Sequence, residues 1–336
     1  MKLASYRDGS RDGQLVVVSR DLATAHYASG IASRLQQVLD DWNFLAPQLE
    51  DLSVQLNAGR ARHAFPFDPR QCLAPLPRAF QWLVGAAYPS ALELVQRTRS
   101  AEPPEHPARA PQMRQGASDD FLGPCDDVVA ASEAMGIDFE AGLAVVTGDV
   151  KRGASPEQAL AGVRLLMLAN EVGLRELMPP ELAQGWGLLQ ARPGTAFSPV
   201  AVTTDELGDA WRGGRVHLTL QSSWNGRRVG LCEAGPQMQF HFGELIAHAA
   251  ATRRLRAGTI VGSGAVSNRD ASRGYGCIEE KRWREMRDGG APRTDYLRDG
   301  DSLRVEMKGL DGQSLCGAID QQISVPAPAS SMRKAP

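Results

Sequence analysis

The sequence predicts a mixed α+β protein in which strands outnumber helices. Glycine and proline are abundant, with 34 and 21 copies in 336 residues, and this composition favours many turns and strands over a helical bundle. Two dipeptides typical of β-hairpin turns, Asn225-Gly226 and Asp311-Gly312, each lie between strand-like runs. The length suits one large domain or two unequal ones, and it allows a full hydrophobic core.

Charge and hydropathy exclude several classes of protein. There are 37 basic and 39 acidic residues, so the formal net charge is −2 at pH 7, which argues against a nucleic-acid protein held mainly by positive charge. No apolar run approaches the ~20 residues that a membrane helix needs. The opening residues, MKLASYRDGSRDGQL, turn polar too early for a secretory signal. We therefore expect a cytoplasmic protein without a membrane or nucleic-acid partner.

The cysteines give little functional information. They number five, are scattered, and include no CxxC pair. This spacing predicts neither a zinc site nor a disulfide framework, and reduced thiols are the expected state.

The chain is divided by composition into two domains and a tail. Residues 1–70 are predicted to form a small β-rich N-terminal domain, with a strand over 15–19 and helical spacing over 25–42. A segment punctuated by prolines follows, so the boundary is placed near Gln71. The main domain is predicted to span 71–325, and the polar segment 326–336 is predicted to be a disordered tail.

The most helix-like segment of the main domain covers residues 155–178. Ser155 fits the N-cap, Pro156 fits the first turn, and Pro179-Pro180 would end the helix. The other predicted elements are a short helix over 91–100, a proline-rich loop over 101–112, a strand over 137–146, an amphipathic helix from Phe242 to Gly258, and a strand over 258–266.

Several candidate motifs are weak. Gly262-Ser263-Gly264 follows a strand, but the third glycine and the helix of a dinucleotide site are missing. His241 and His248 could share a helix face, but a metal site would need a third ligand, and no nucleophile elbow is present. The segment 267–285 is dense in charge and glycine; it is either a site or its rim, or a solvated turn. Its charged residues of interest are Arg269, Asp270, Arg273 and Glu279.

A collinear series of sequence blocks resembles the fumarylacetoacetate hydrolase family from about residue 72 to 323. The blocks are LAPLPRAFQW, QGASDDFLGP, GIDFEAGLAVVTGDV, LANEVGLREL, FSPVAVTTDELGDAW, AGPQMQFHFGELIAH and GTIVGSGAVSN. The resemblance implies a mixed β-roll or sandwich with outer helices, a small variable N-terminal domain, and a homodimer. It also implies C–C bond chemistry on oxo acids or 1,3-dicarbonyl compounds, with a Mg²⁺ or Ca²⁺ ion that stabilises an enolate.

The family's metal and base positions are largely altered when they are carried over residue by residue. An aspartate ligand and the histidine seven residues later correspond to Val84 and Ala91. Of a Glu-x-Glu pair, Glu140 remains but the second position is Gly142. The last aspartate ligand, assigned to the predicted long helix, corresponds to Glu171. Only Glu140 and Glu171 are therefore left as residual metal positions.

The substrate-binding positions are also changed. A family tyrosine corresponds to Arg114, an arginine is kept as Arg175, and a polar residue three further on is Met178. Arg192 is the basic residue nearest to a family lysine. Of the water-activating pair only Glu279 survives, with Glu280 as the alternative register. The resulting expected substrate contacts are Arg114, Arg175, Arg192, Met178 and Tyr88, and the expected catalytic groups are Glu279, Glu171 and Arg175.

Two carboxylates plus water would hold a divalent ion weakly, because Mg²⁺ and Ca²⁺ require about six or more oxygen ligands. We therefore predict no cofactor, or a weak Mg²⁺ site at most. Two buried carboxylates without a cation would be unstable. The sequence thus predicts that the guanidinium group of Arg114, Arg175 or Arg192 reaches Glu140 or Glu171 in place of the metal.

Three functions remain open from the sequence. The first is a metal-independent enzyme that acts on an oxo acid or 1,3-dicarbonyl compound by enol chemistry, condensation, cyclisation or C–C cleavage. The second is a non-catalytic protein that binds a small molecule or a partner. The third is a metal-dependent C–C hydrolase with rearranged ligands, for which Glu102, Glu133 or Asp138 could supply oxygens.

Overall fold

The computed structural model describes residues 1–90, 93 and 110–326. The predicted helix over 91–100 (apart from Glu93), most of the predicted loop over 101–112, and the tail after Pro326 lie outside the described residues. Ala91 lies outside them too. No helix that is described is both long and apolar enough to cross a membrane.

Strands dominate the structure, which confirms the predicted mixed α+β class with few helices. The strands are β1 (Lys2–Tyr6), β2 (Gln14–Val18), β3 (Thr24–Tyr27), β4 (Phe65–Pro66), β5 (Trp82–Gly85), β6 (Met113–Gly116), β7 (Val128–Val129), β8 (Ile137–Thr147), β9 (Val163–Leu174), β10 (Thr195–Phe197), β11 (Ala201–Val202), β12 (Trp211–Arg212), β13 (Arg215–Val216), β14 (Thr219–Trp224), β15 (Arg227–Glu233), β16 (Ile260–Ala265), β17 (Ser302–Met307) and β18 (Ile319–Ser324). The helices are α1 (Leu35–Asp40), α2 (Trp42–Asn57), α3 (Pro156–Ala161), α4 (Met178–Ala183), α5 (Phe242–Ala249) and α6 (Ile278–Gly289).

One large sheet runs through both predicted domains. Its strand order is β4-β3-β2-β1-β11-β9-β8-β16-β5-β6, and β10 also pairs with β9. The N-terminal strands join it through β1, where Leu3 pairs with Ala201. A second sheet has the order β15-β14-β17-β18-β7. The first 70 residues therefore extend the same sheet that contains strands β8 and β9.

The core lies on both faces of the large sheet. Along β8, Phe139, Leu143 and Val145 belong to one buried apolar cluster, whereas Ala144 and Val146 belong to another. The first cluster contains residues of the second sheet and α5, and the second contains residues of α1 and α2. Because successive side chains of a strand point to opposite faces, both faces of β8 and β9 are covered.

The long helix predicted over 155–178 is wrong for most of its length. Ser155 does cap a helix by accepting from the Gln158 backbone N–H, but that helix ends at Ala161. Strand β9 follows, with ten buried residues in succession from Leu165 to Leu174. A strand that is buried on both faces reads as a continuous apolar run without alternation, so its periodicity cannot be told from that of a buried helix.

Two other helix predictions need correction. Residues 24–27 form strand β3, and helices begin only at Leu35, so the predicted helix over 25–42 is wrong in its first half. Helix α5 ends at Ala249 and does not continue to Gly258. The strands predicted over 15–19 and 137–146 are confirmed as β2 and β8.

The hairpin at Asn225-Gly226 is confirmed as the antiparallel pair β14–β15. Asn225 and Gly226 have φ values of 48° and 72°, which is the conformation that a two-residue type I′ turn needs. Strands β17 and β18, on either side of Asp311-Gly312, are also antiparallel neighbours, although they are connected by a longer excursion than a tight turn.

Candidate active site

A cavity of about 390 Å³ lies where strands β5, β6, β8 and β16 meet helix α6. Most of the residues that the sequence predicted for a site contribute to its wall. They are Val84, Tyr88, Arg114, Glu140, Arg175, Arg192, Glu279 and Glu280. Glu171 and Met178 are not among the lining residues.

Strands β8 and β9 bring the two remaining family carboxylates together. In their antiparallel register Glu140 is directly opposite Glu171, and cross-strand partners have Cβ atoms only about 4.5–5.5 Å apart. Asp138 is two residues before Glu140 on the same strand, so its side chain points to the same face. The assignment of Glu171 to a helix is therefore wrong, because the residue lies in β9.

Three arginines converge on this carboxylate cluster, as the sequence predicted. Arg175 Nη2 lies 2.6 Å from Glu140 Oε1, and Arg192 Nη2 lies 2.6 Å from the same oxygen. Arg192 Nη1 is 3.3 Å from Glu171 Oε2, and Arg114 Nη2 donates to that oxygen as well. The guanidinium groups thus bridge the two glutamates from different parts of the chain.

The contact between Arg114 and Glu171 shows how strongly the sheet curls. Arg114 lies on β6 and Glu171 on β9, with β8, β16 and β5 between them. At about 4.8 Å per strand a flat sheet would hold β9 and β6 about 19 Å apart, which an arginine side chain cannot span. The sheet is therefore rolled around the cavity.

The arginines determine the charge state of Glu140. Burial opposes ionisation, but Arg192 and Arg175 outweigh it and hold the pKa of Glu140 well below its usual range. Burial also acts to lower the pKa of Arg192, yet Glu140 and Glu171 reverse this effect and raise it. Both partners of this buried pair are consequently charged at neutral pH.

Asp138 connects the cluster to helix α6. Its carboxylate accepts from Arg175 Nε at 2.7 Å, from the Ile278 backbone N–H at 2.7 Å and from the Glu279 backbone N–H at 3.0 Å. The last two groups are in the first turn of α6, where backbone N–H groups have no partner inside the helix. Burial raises the pKa of Asp138 and Arg175 opposes this; since all three contacts come from donors, we assign it the ionised form.

Glu279 is held by neutral donors. Tyr296 Oη donates to Glu279 Oε2 at 2.6 Å, and Trp283 Nε1, one helical turn along α6, donates to Oε1. None of the ion pairs formed by the described residues includes Glu279. Burial and the bond to Glu279 raise the pKa of the Tyr296 hydroxyl. The carboxylate of Glu279 is thus fixed in orientation by neutral donors, without an ion pair in the described part of the chain.

Glu280 has a different role from its neighbour. It is buried, and it accepts from Arg284, from Ser267 Oγ at 2.6 Å and from the Gly276 backbone N–H at 3.2 Å. Burial raises its pKa against the effect of Arg284. Glu280 therefore ties helix α6 to the segment after β16.

The remaining predicted residues fall near the site. Tyr88 is buried in the wall and donates from its hydroxyl to the Ala234 carbonyl at 2.7 Å, and burial raises its pKa. Met178 contacts Arg175 through its sulfur at 3.6 Å but does not line the cavity. Cys277 lines the cavity, and burial raises the pKa of its thiol well above normal, so the thiol is protonated.

The donor set does not fit a divalent cation. Val84 provides an apolar wall at one family ligand position and is only 6% exposed. At Gly142, a second position, a Cβ atom would lie 2.4 Å from the Gly264 carbonyl oxygen, so no side chain fits without a backbone shift. The oxygens of Glu140 and Glu171 face guanidinium groups, which have no lone pair for a metal.

Within residues 1–90, 93 and 110–326, no group of three or more His, Cys, Asp or Glu side chains is arranged so that it could hold a metal ion.

The sequence did not single out the partners that hold Glu279 and Asp138. Trp283 follows Glu279 by four residues, a spacing that brings side chains together on a helix, and this signal could have been found. Tyr296 follows α6 at a distance in the chain that carries no such signal, so only the fold reveals it. Asp138 was considered only as a substitute metal ligand, but the structure shows that it binds Arg175 and the start of α6.

Comparisons with known proteins agree with the geometry of the fold. Residues 81–322 match the model of the fumarylacetoacetate (FAA) hydrolase C-terminal family, and residues 1–78 match fumarylacetoacetase N-terminal domain 2. No sequence among the curated proteins matches the chain.

Solved structures share the fold at low sequence identity. A probable 2-hydroxyhepta-2,4-diene-1,7-dioate isomerase from Mycobacterium abscessus is 20% identical, with a TM-score of 0.65, over 97% of this chain and 99% of that one. Maleylpyruvate hydrolase from Sphingobium sp. SYK-6, in complex with manganese(II) ion and pyruvate, is 15% identical with a TM-score of 0.65, over 97% and 100%. A fumarylacetoacetate hydrolase from psychrophilic Exiguobacterium antarcticum is 18% identical with a TM-score of 0.64, over the same shares.

The two family models together cover nearly the whole chain, and the rolled sheet encloses its cavity between β5, β6, β8, β16 and α6. This protein belongs to the fumarylacetoacetate hydrolase family.

Proposed function

We propose that this protein is an enzyme that acts on an oxo acid or a 1,3-dicarbonyl compound through its enol, without a divalent metal ion. The observation that carries the proposal is the set of contacts from Arg114, Arg175 and Arg192 to Glu140 and Glu171. These positive charges contact the two glutamates that stand at positions where the family resemblance implies metal ligands. Buried guanidinium groups can stabilise an enolate oxygen much as other fixed positive groups do.

Arg114 and Arg192 are the best suited to hold the oxygens of the substrate. Both line the cavity, and both retain a buried N–H group without a hydrogen-bond partner among the described residues, at Arg114 Nη1 and Arg192 Nε. An unpaired buried donor is unfavourable, and a rotation of the guanidinium group toward the cavity would let a carbonyl or enolate oxygen satisfy it. Arg175, which is engaged by Asp138 and Glu140, acts in this proposal mainly by fixing the position of the cluster.

Glu279 is our candidate for proton transfer. It lines the cavity, its carboxylate is oriented by Trp283 and Tyr296, and no guanidinium or ammonium group is paired with it in the described part of the chain. A carboxylate in contact with the substrate can take a proton from the carbon between two carbonyl groups. Glu171, by contrast, is occupied by Arg114 and Arg192, so we assign it a positioning role in place of the catalytic one expected from the sequence.

The structural relatives support the chemical class. Their names include an isomerase of an unsaturated dioate and a hydrolase of maleylpyruvate. A homodimer and a cytoplasmic location, both expected from the sequence, stay predictions.

The proposal is tested by deuterium exchange in D₂O with the metal-free protein. The substrates are 1-phenyl-1,3-butanedione and 2,4-dioxo-4-phenylbutanoate, and exchange at the carbon between the carbonyls, together with any cleavage, is followed by NMR against a reaction without protein. We expect at least one substrate to react above that baseline after dialysis against EDTA. Added Mg²⁺ or Mn²⁺ should change the rate less than twofold.

Each alternative function gives a different result. Activity that disappears with EDTA and returns with Mn²⁺ would show a metal-dependent hydrolase with rearranged ligands. Saturable binding of either compound, with no exchange or cleavage, would show a non-catalytic binding protein. The variant Arg114→Gln should lower the rate, whereas Arg78→Gln, which breaks an exposed pair with Asp12, should leave it unchanged.

A further inference from the structure

Each positive group at the cavity is already paired with a negative one. Arg175 contacts Asp138 and Glu140, Arg192 contacts Glu140 and Glu171, and Arg114 contacts Glu171. These three cations thus face three carboxylates. Arg284 and Glu280 form a separate ion pair of one positive and one negative charge.

Among the described residues, the carboxylate of Glu279 has no arginine or lysine as an ion-pair partner. Its partners, Trp283 and Tyr296, are neutral, and no Lys or Arg of the described residues forms an ion pair with it. Among the described residues that line the cavity or form ion pairs with its lining groups, carboxylates therefore outnumber guanidinium groups by one; Arg282 stacks on the Tyr296 ring, 4.2 Å from its centroid, but forms no ion pair with Glu279. A ligand that carries a carboxylate of its own would add a second unbalanced negative charge to a partly enclosed space, which is unfavourable.

Two arginines that line the cavity retain donors that a ligand would reach once their guanidinium groups turn toward it. Arg114 Nη1 and Arg192 Nε are buried and have no acceptor within the described part of the chain. The positive charges of these arginines are already neutralised by glutamates. Their N–H groups can therefore bind the oxygen of a neutral carbonyl group without adding an unpaired charge to the site. A ligand with two carbonyl oxygens has one for each of these arginines.

The rest of the wall suits an apolar ligand. Val84, Ala86, Ala87 and Met113 line the cavity, and the indole of Trp283 lies opposite on α6. A cavity of about 390 Å³ falls within the range of small-molecule sites, about 300–1,000 Å³, which are mostly apolar with a few polar groups that fix orientation. An aryl or alkyl substituent would fill this region.

We infer that the ligand of this site is an uncharged 1,3-dicarbonyl compound with an apolar substituent, and that carboxylate-bearing oxo acids are disfavoured. This inference rests on the proposed function and narrows its substrate class. It follows from the pairing of all three arginines with buried carboxylates, together with the unpaired carboxylate of Glu279.

The proton transfer conserves charge with such a substrate. The C–H bond between the two carbonyl groups breaks, an O–H bond forms on Glu279, and the electron pair of the C–H bond becomes the enolate. The negative charge moves from Glu279 to the enolate oxygens, which the arginines face, so the total charge in the cavity does not change. Return of the proton to an enolate oxygen gives the enol and regenerates the carboxylate of Glu279.

The test compares two compounds that differ at one group. In 1-phenyl-1,3-butanedione a methyl group stands where 2,4-dioxo-4-phenylbutanoate has a carboxylate, while the phenyl ring and both carbonyl groups are the same. Dissociation constants of the metal-free protein are measured for both at neutral pH by calorimetry. We expect the neutral compound to bind at least about tenfold more tightly, which corresponds to about 1.4 kcal/mol.

The results separate this inference from the proposed function. A preference below tenfold, equal affinity, or tighter binding of the acid would overturn the inference, while exchange of either compound would still support the proposed enzyme. If neither compound binds, both the inference and the proposed function are wrong.

A charge-changing variant provides a second test. Glu171→Gln keeps the size of the side chain but removes one carboxylate, so Arg114 and Arg192 gain one unbalanced positive charge. The measured quantity is the ratio of the affinity for the acid to the affinity for the neutral compound. We expect this ratio to be at least about tenfold higher in the variant than in the native chain. Asp12→Asn, which removes an exposed charge in the N-terminal region, should leave the ratio unchanged. An unchanged ratio in folded Glu171→Gln would contradict the inference.

Discussion

The two walls of the cavity hold their carboxylates in different ways. On the β8–β9 wall, Glu140, which lines the cavity, and its cross-strand neighbour Glu171, which does not, are contacted by guanidinium groups from three separate segments of the chain. On the α6 wall, the side-chain contacts that hold the Glu279 carboxylate, among the described residues, come from a tyrosine and a tryptophan. The first arrangement fixes charges in place, because moving either partner would leave a buried charge uncompensated.

This difference indicates that the two walls have different chemical roles. A carboxylate whose pKa is held far below the usual range, as that of Glu140 is, is a poor proton acceptor at neutral pH. Glu279 forms no ion pair in the described part of the chain, and its neutral donors fix its direction toward the cavity that it lines. The comparison therefore assigns stability and oxygen binding to the β8–β9 wall and proton transfer to the α6 wall.

The largest expected effect concerns the α6 wall. Glu279→Gln should reduce enzyme-dependent deuterium exchange by about 10²- to 10⁴-fold, because this is the usual contribution of a general base. The variant keeps a side-chain oxygen that can accept from Tyr296, so the urea midpoint should change little. Exchange is measured by NMR and stability by urea unfolding. A folded variant with native exchange would assign the proton transfer to another group.

The next effect concerns the β8–β9 wall. Arg175→Met removes the cation shared by Asp138 and Glu140 and should lower the free energy of unfolding by about 3–5 kcal/mol. The matched control is Arg304→Met, which breaks partly exposed pairs with Asp320 and Glu306 and should lower it by about 0.2–1 kcal/mol. Urea unfolding measures both. A similar small loss in the two variants would mean that the buried cluster contributes no more than surface pairs.

The smallest expected effect is on the pH dependence of stability. Glu140 on the β8–β9 wall and Glu280 on the α6 wall should change the free energy of unfolding with pH in opposite directions. The pKa of Glu140 is lowered on folding, so its stabilisation is present above the unfolded value of about 4.3 and is lost as the pH falls. The pKa of Glu280 is raised, so its contribution is present below about pH 4.3 and is lost as the pH rises. These signs predict how the stability of the variants Glu140→Gln and Glu280→Gln changes with pH.

The free energy of unfolding of Glu140→Gln should approach that of the native chain as the pH falls below about 4.3. Relative to the native chain, Glu280→Gln should instead become more stable as the pH rises from about 4.3. Urea unfolding over a pH series measures both curves. Parallel curves for the two variants would contradict the comparison.

Local patterns in the sequence predicted those elements whose structure depends on local contacts. The Asn225-Gly226 hairpin and the Ser155 cap were found because positive φ values and backbone capping depend on neighbouring residues. The same reasoning failed for β9, whose two buried faces are created by elements far away in the chain. The resemblance of the sequence blocks to a known family predicted the fold, which the hairpin and capping signals could not predict by themselves.

The sequence by itself determined which groups the site contains: it has Arg114 where the resemblance implies a tyrosine, and Val84 and Gly142 where it implies metal ligands. It also predicted that an arginine would reach Glu140 or Glu171, because buried carboxylates require a positive partner. Only the tertiary structure decided which arginine meets which oxygen, because Arg114 reaches Glu171 through the curl of the sheet. The fold likewise decided that Tyr296 orients Glu279, since contacts between distant segments depend on packing and not on local chain geometry.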